Sequence, residues 1–322
     1  MTRKELYDML RCAAEEVYDL REAVSVASYM AEALAGVTRT DLVVSPDAEA
    51  ELPEGFDVIL AQLRAGRPVQ YITGSCEFCG RVFKVREGVL IPRPETEELV
   101  AWVAEDAVQA AGKTLQGSGV PSSALAGPSV SDGGAFVAVP SVPDENASLS
   151  ILDIGTGSGA IAVSLAGLLP DATVRAIDVS DAALAVAREN AAANGVRVEL
   201  LKADILAGSD EWEGLWRDAM FDVVVSNPPY VPASDMASMD RNVRDFEPHT
   251  ALFVPDDDPL LFYRAIARHA NRMLADGGRL YFEIYEGFAC GMRDLLVSEG
   301  FADVVVRRDI NGKDRMLRCV KR

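Results

Sequence analysis

The sequence is poor in histidine, has no basic cluster and carries no long apolar run, and each shortage removes a class of function. The only histidines among 322 residues are His249 and His269. The five cysteines are scattered and odd in number, which argues against a secreted disulfide framework. Cys76-x-x-Cys79 could be half a zinc site or a redox pair. No second cysteine pair follows at zinc-ribbon spacing, so no metal is expected and the two are read as reduced thiols in a hairpin. No window holds about 18 uncharged apolar residues, so no transmembrane helix is expected. No apolar run follows Met1-Thr2-Arg3-Lys4-Glu5, so no secretory signal is expected and the expected compartment is the cytoplasm. Arg307-Arg308, beside Asp303 and Asp309, is the densest basic stretch, and 31 Lys+Arg against 50 Asp+Glu leave a net charge of -19. A protein that grips a phosphate backbone needs Lys and Arg to displace counterions. Direct nucleic-acid binding is therefore not expected, and the acidity serves solubility.

What is present is an ordinary globular composition, 49% hydrophobic and 25% charged, at a length that suggests two domains. Residues 1–67 read as helical. Leu6, Met9, Leu10, Ala13, Ala14 and Val17 recur at helical spacing, a second helix runs from Asp19 to Ala35 and ends at Gly36, and Thr40-Asp41-Leu42 opens a short element. A further helix starts near Pro53, with Phe56, Ile59, Leu60 and Leu63 as its stripe. Residues 68–91 carry short β-prone runs, Val69 to Ile72, Phe78 to Val85 and Val89 to Ile91, broken by Gly74, Gly80 and Gly88. They predict a β-hairpin linker. Pro92-Arg93-Pro94-Glu95-Thr96-Glu97-Glu98 opens a helix to about Ala111. Residues 112–148, rich in Gly, Ser, Pro, Ala and Val, form a low-complexity insertion expected to be a mobile loop, with a loose hairpin around Phe136 to Val139.

From residue 149 strands and helices alternate: strands at Ser150–Ile154, Thr173–Asp178, Val198–Lys202, Phe221–Ser226, Gly278–Ile284 and Ala302–Arg308, helices near 159–168, 181–193, 259–274 and 287–299. Alternation with buried apolar strands predicts an α/β fold, a mostly parallel sheet covered on both faces with a possible antiparallel edge pair at its end.

Two motifs carry chemistry. Ile151-Leu152-Asp153-Ile154-Gly155-Thr156-Gly157-Ser158-Gly159 runs a buried strand into a glycine turn and a helix. Ligands of open α/β sheets bind beyond the carboxyl ends of such strands, and the glycines let the backbone approach a ligand. The pattern is G-x-G-x-G rather than the G-x-G-x-x-G of dinucleotide binders. Asp153 ahead of it suits the ammonium of an amino-acid moiety better than a pyrophosphate. Asp178, ending the second strand, can accept both ribose hydroxyls, and Asp204-Ile205, after the third, can frame an adenine. The second motif, Asn227-Pro228-Pro229-Tyr230, follows the fourth strand on the same edge. Two prolines fix φ and offer carbonyls without N–H groups. The Asn227 side chain and the Pro228 carbonyl suit the two hydrogens of a planar NH₂ group, with Tyr230 as a flat face. Accepting both hydrogens restores electron density to a delocalised nitrogen. No general base is evident, and His249 in Phe246-Glu247-Pro248-His249 reads as structural.

These residues resemble the HemK family of protein-(glutamine-N5) methyltransferases, which act on peptide chain release factors. The likeness extends to Gly66-Arg67-Pro68-Val69-Gln70-Tyr71-Ile72-Thr73-Gly74, to Ile91-Pro92-Arg93-Pro94-Glu95-Thr96-Glu97, to Phe246-Glu247-Pro248-His249 with Ala251-Leu252, and to Asp309 with Asp314-Arg315. The resemblance implies a class I methyltransferase fold, Rossmann-like with a mostly parallel seven-stranded sheet, over residues 92–322. It further implies a small all-helical domain at 1–67 that contacts the release factor, and the linker at 68–91. It implies S-adenosyl-L-methionine as cofactor, bound by Gly155, Thr156, Gly157, Ser158, Gly159, Asp178, Ile205 and Asn227, to which the residue reading above adds Asp153 and Asp204. Asn227 to Tyr230 would hold the glutamine of a Gly-Gly-Gln loop for methylation at N5. The expected partners are release factors, with no membrane, and a monomer is expected. Three features depart from the family: the insertion, Cys79 where an aromatic is common, and Tyr285-Glu286-Gly287 after Glu283.

Two other readings compete. A nucleic-acid N-methyltransferase acting on adenine N6 or guanine N2 would also use Asn-Pro-Pro-Tyr, stacking Tyr230 on a flipped base; the acidic charge opposes it. A binding module that has lost catalysis would keep the fold, but both motifs are complete.

Overall fold

The computed structural model describes residues 1–110, 148–207 and 220–322. The predicted insertion, its hairpin around Phe136 to Val139 included, lies outside the described residues except for Ser148, whose hydroxyl donates to the Asp171 carbonyl.

Four helices come first: α1 (Arg3–Glu15), α2 (Leu20–Ala35), α3 (Arg39–Val44) and α4 (Phe56–Arg64). Local chemistry sets their ends. Thr2 and Glu5 form a reciprocal capping box on α1, Asp19 caps α2, and Gly36 ends α2 at φ 65°. The short element predicted at Thr40 starts at Arg39 because Thr38 and Asp41 make a second capping box. The helix expected at Pro53 starts at Phe56 instead, after Gly55 at φ 71°. Leu6, Leu10, Ala27, Met30, Leu60 and Leu63 pack as one apolar core.

The next stretch corrects the reading of 68–91. Val69–Thr73 is a helix, α5, and not a strand. Pro68 at its N-cap presets the backbone, Gly74 at φ 74° stops it, and burial of Tyr71 outweighs the β-propensity of Val69 and Ile72. The hairpin is confined to β1 (Ser75–Phe78) and β2 (Arg81–Lys84). Cys79 and Gly80 form its turn at φ 50° and 67°, the left-handed pair a two-residue hairpin requires. Residues 85–91 form no strand, yet Val85, Val89 and Ile91 are buried. Tyr71 anchors the segment by donating to the Val89 carbonyl at 2.6 Å. Helix α6 (Pro94–Ala110) follows.

The remaining chain is β3 (Ser150–Ile154), α7 (Ala160–Leu168), β4 (Thr173–Asp178), α8 (Asp181–Ala193), β5 (Glu199–Lys202), β6 (Phe221–Ser226), β7 (Val231–Pro232), α9 (Arg241–Arg244), β8 (Phe253–Val254), α10 (Leu261–Met273), β9 (Leu274–Glu283), α11 (Ala289–Ser298), β10 (Phe301–Arg308) and β11 (Asp314–Lys321). Seven strands form one sheet in the order β10-β11-β9-β6-β3-β4-β5. The five from β9 to β5 are parallel to their neighbours, while β11 is antiparallel to both β9 and β10. The edge pair is thus real, and its second member is a strand that sequence patterning did not separate. In β11 Asp314, Arg315, Arg318 and Lys321 break up the buried Met316, Leu317 and Cys319.

Side-chain alternation divides the core. Val223 and Val225 face the layer of α6 and α7, which carries Leu99, Val103 and Leu165. Val224, between them, faces the layer of α10 and α11, with Tyr263, Ile266 and Met292. The chain winds from β3 out through β4 to β5, and β6 lies on the other side of β3. That reversal opens a crevice at the carboxyl ends of β3 and β6, where both sequence motifs sit.

Candidate active site

A cavity of about 190 Å³ occupies this crevice. Its floor is the turn after β3, with Gly155, Thr156, Gly157 and Ser158 on the wall. Gly155 and Gly157 have φ of 74° and 57°, and a Cβ built on either meets no atom within 4 Å. Such side chains would project into space left open. Gly159 serves another purpose. At φ 82°, its Cβ would lie 3.1 Å from the Ala187 Cβ, so it allows α7 and α8 to approach, and it does not line the cavity. Gly159→Ala is expected to destabilise the fold by about 2 kcal/mol or more, from left-handed strain plus the clash. A thermal unfolding midpoint unchanged from wild type would contradict this.

Asp153 lies behind the turn and not on the cavity wall. It is fully buried. Its Oδ2 accepts from the Thr156 hydroxyl at 2.6 Å and the Ala162 N–H at 3.2 Å. Oδ1 has no partner among the described residues. Burial pushes this carboxyl from 3.8 up to about 7, against the pull of those two bonds. The fold therefore prefers the protonated acid. Its contribution to stability is fully present below about pH 4 and is lost as pH rises through about 7. In the ligand-free protein, wild type should gain on the order of 4 kcal/mol over Asp153→Asn between pH 8 and pH 4. Parallel stability curves across that window would refute the assignment.

Asp178 and Asp204 both line the cavity, as does Ile205. Asp178 pins the turn, accepting from the Gly157 N–H at 2.8 Å and from the Ser180 N–H at 2.9 Å. Burial raises its carboxyl and these backbone bonds lower it, with a net upward shift. Asp204 accepts from the Leu206 N–H at 2.9 Å.

Asn227, Pro228 and Pro229 line the same cavity. The Asn227 Nδ2 donates to Thr96 Oγ1 at 3.1 Å. Thr96 in turn donates to Glu283 Oε2 at 2.6 Å, and the Tyr230 hydroxyl donates to Glu283 Oε1 at 2.9 Å. Tyr230 does not line the cavity. Its ring lies 6.3 Å from that of Tyr285, tilted by 47°. Burial, with the Glu283 charge beside it, drives the Tyr230 hydroxyl well above 10. His249 is exposed, and its Nε2 lies 2.8 Å from the Arg244 carbonyl. It has no place at the cavity.

Sequence reading did not assign roles to Thr96, Arg93 or Glu283, although the first two lie in a quoted motif. Arg93 and Thr96 line the cavity. Arg93 is held at 2.6 Å by Glu247, which also accepts from the Ile91 N–H at 3.2 Å. Arg315 is held by Asp309 at 3.2 Å and faces Glu283 and Tyr230. The segments at 91–97, 246–249, 309 and 315 thus converge on one site. Burial in a shared polar network could have been inferred only from acids placed at strand ends, as Glu283 is. Cys76 and Cys79 lie in the hairpin as free thiols, each pushed up to about 12 by burial.

Residues 8–74 match the family described as PrmC N-terminal domain, and residues 128–243 match Methyltransferase small domain. The chain is 39% identical over 308 residues to the Release factor glutamine methyltransferase of Flavobacterium psychrophilum, covering 95% of this chain and 94% of that one. It is 36% identical to the protein of the same name from Bacteroides thetaiotaomicron, covering 96% of each. Against the one from Chlorobaculum tepidum the figures are 40%, with 88% of this chain and 86% of that one covered.

Proposed function

The chain belongs to the release factor glutamine methyltransferase family, and on that premise we propose that it methylates the side-chain amide nitrogen, N5, of the glutamine in the Gly-Gly-Gln loop of peptide chain release factors. S-adenosyl-L-methionine is the proposed donor. The single observation that carries the reading is one cavity lined both by the open glycine positions and Asp178 and by Asn227, Pro228 and Pro229.

The residues fit that donor. At Gly155 and Gly157 the turn leaves open space that a Cβ would enter. Asp178 keeps acceptor capacity beyond its two backbone bonds, because a carboxylate offers about four lone-pair sites. Asp204 and Ile205 supply a polar edge and an apolar face for a purine. Asp153, behind the turn, supports it from below through Thr156 and the Ala162 N–H rather than reaching the donor itself. When bound, the donor supplies a methyl group activated by a sulfonium centre.

The chain's own part is positioning. A glutamine amide nitrogen is a weak nucleophile because its lone pair is shared with the carbonyl. Asn227 Oδ1 and the Pro228 carbonyl accept its two hydrogens, orient the nitrogen and raise its electron density. The nitrogen gains the methyl with the sulfonium's positive charge and releases one proton to solvent, so the amide ends neutral. The helical segment α1 to α4 is proposed as the release-factor contact, and a cytoplasmic monomer without direct nucleic-acid binding is the accompanying proposal. Among the described residues no helix is long and apolar enough to cross a membrane.

Incubation of the protein with a release factor and labelled donor, followed by mass spectrometry, should show one added methyl on the loop glutamine. Label that survives protease but not nuclease treatment of the acceptor would instead support base methylation and overturn the reading.

A further inference from the structure

An asparagine can turn either its oxygen or its NH₂ toward a ligand, and nothing in the residue itself chooses. Here the choice is made two residues away. The Thr96 hydroxyl has one proton, and that proton goes to Glu283 Oε2 at 2.6 Å. Toward Asn227 the hydroxyl can therefore only accept, and Nδ2 donates to it at 3.1 Å. Glu283 is 1% exposed, and its other oxygen is already filled by the Tyr230 hydroxyl at 2.9 Å. An ionised carboxylate only accepts, so every bond in the chain donates toward it. Burial raises the Glu283 carboxyl, while the bonds from Thr96 and Tyr230 and the positive charge of Arg315, held by Asp309, favour its ionised form.

We propose that Glu283 and Thr96 are positioning residues that set the polarity of the site: the Glu283 carboxylate orders the Thr96 hydroxyl, which captures the Asn227 NH₂ and leaves Asn227 Oδ1 facing the cavity. The site is thereby wired to receive a group that brings two hydrogens, a primary amide or amine, and to repel one that presents lone pairs. Hydrogen bonds alone carry the information, and it originates at the end of β9, outside both sequence motifs. The inference rests on the glutamine-methylating reading above and deepens it.

The test reverses the wiring. Asn227→Asp alone places a carboxylate against a hydroxyl whose proton is committed to Glu283, and its turnover should fall about 10²-fold. Adding Glu283→Gln lets the introduced amide donate to Thr96 while its oxygen still accepts from Tyr230. Thr96 can then donate to the new carboxylate, whose other oxygen faces the cavity. The double variant should turn over at least about tenfold faster than Asn227→Asp alone, the non-additivity expected of coupled neighbours. If Glu283→Gln leaves Asn227→Asp no faster, the inference is wrong.

Thr96→Val should lower kcat about tenfold or more with donor affinity by calorimetry changed less than about threefold, whereas Thr96→Ser, which keeps the hydroxyl, should stay within about threefold of wild type in kcat. A second readout needs neither donor nor substrate. In ¹⁵N-labelled protein the Asn227 side-chain NH₂ should exchange slowly with solvent in wild type and Thr96→Ser, and rapidly in Thr96→Val. Equal exchange in all three would overturn the inference. A wild-type protein that adds no methyl to the loop glutamine would sink the assigned reaction, while the exchange measurement would still decide the wiring.

Discussion

Replacement of Asn227 by Ala should cut turnover of the release-factor glutamine by on the order of 10²-fold to 10³-fold, the range for removal of one preorganised polar partner from a transition state. The loss is specific for three reasons. Asn227 lines the cavity, and its amide is locked at Nδ2 by Thr96. Alanine removes the Oδ1 proposed to accept a substrate N–H. The Pro228 carbonyl remains, so substrate can still bind, but the nitrogen keeps one hydrogen unclaimed and its orientation loosens. Fold stability should be little affected, because Asn227 is half-buried and the neighbouring Thr96 keeps its bond to Glu283. Initial rates under saturating donor and substrate measure the effect. Turnover within about tenfold of wild type would remove the acceptor role from Asn227.

Replacement of Asp178 by Ala should act on a different quantity. Its two oxygens hold the Gly157 and Ser180 N–H groups at 2.8 and 2.9 Å, and the residue lines the cavity. Removal costs the donor two charge-assisted bonds at about 1.5–3 kcal/mol each. It also frees the turn that shapes the floor, so affinity should fall by about 10²-fold or more. Once donor is saturating, turnover should recover to within severalfold of wild type, because Asn227 and its supports are untouched. Asp178→Asn, which keeps one acceptor and loses the charge, should fall between. Calorimetry with the donor decides it: unchanged affinity in Asp178→Ala would withdraw the ribose assignment. Together the two variants separate holding the donor from orienting the acceptor, one moving affinity and the other rate.

The parts of the site that were legible in sequence are those built from short contiguous segments. Gly155 to Ser158 of the G-x-G-x-G turn, Asp178 at a strand end and Asn227-Pro228-Pro229 each reach the cavity directly from a strand's carboxyl end, so finding the strand found the residue. Asp153 and Tyr230 belong to the same motifs yet stand behind the wall, Asp153 tied to Thr156 and Ala162, Tyr230 to Glu283. Spacing places a residue on an element but does not tell which side of a turn its side chain takes. The helix Val69–Thr73 was misread as β-prone because its residue types favour strands, while Pro68, Gly74 and the burial of Tyr71 decided otherwise. Strand β11 was hidden by charged residues that are half-buried at the sheet's antiparallel end.

The sequence by itself determined the alternation of strands and helices, the glycine turn and the proline-fixed loop after the fourth parallel strand, because periodicity, glycine and proline act through local backbone geometry. Tertiary structure alone decided that Thr96, Asn227, Tyr230 and Glu283 share one hydrogen-bonded chain and that Arg93 meets Glu247. Those partners come from α6, the loop after β6, β9 and the segment before β8. Only the winding of the sheet sets them side by side, and hydrogen-bond direction has no trace in a linear pattern until donors and acceptors are in contact.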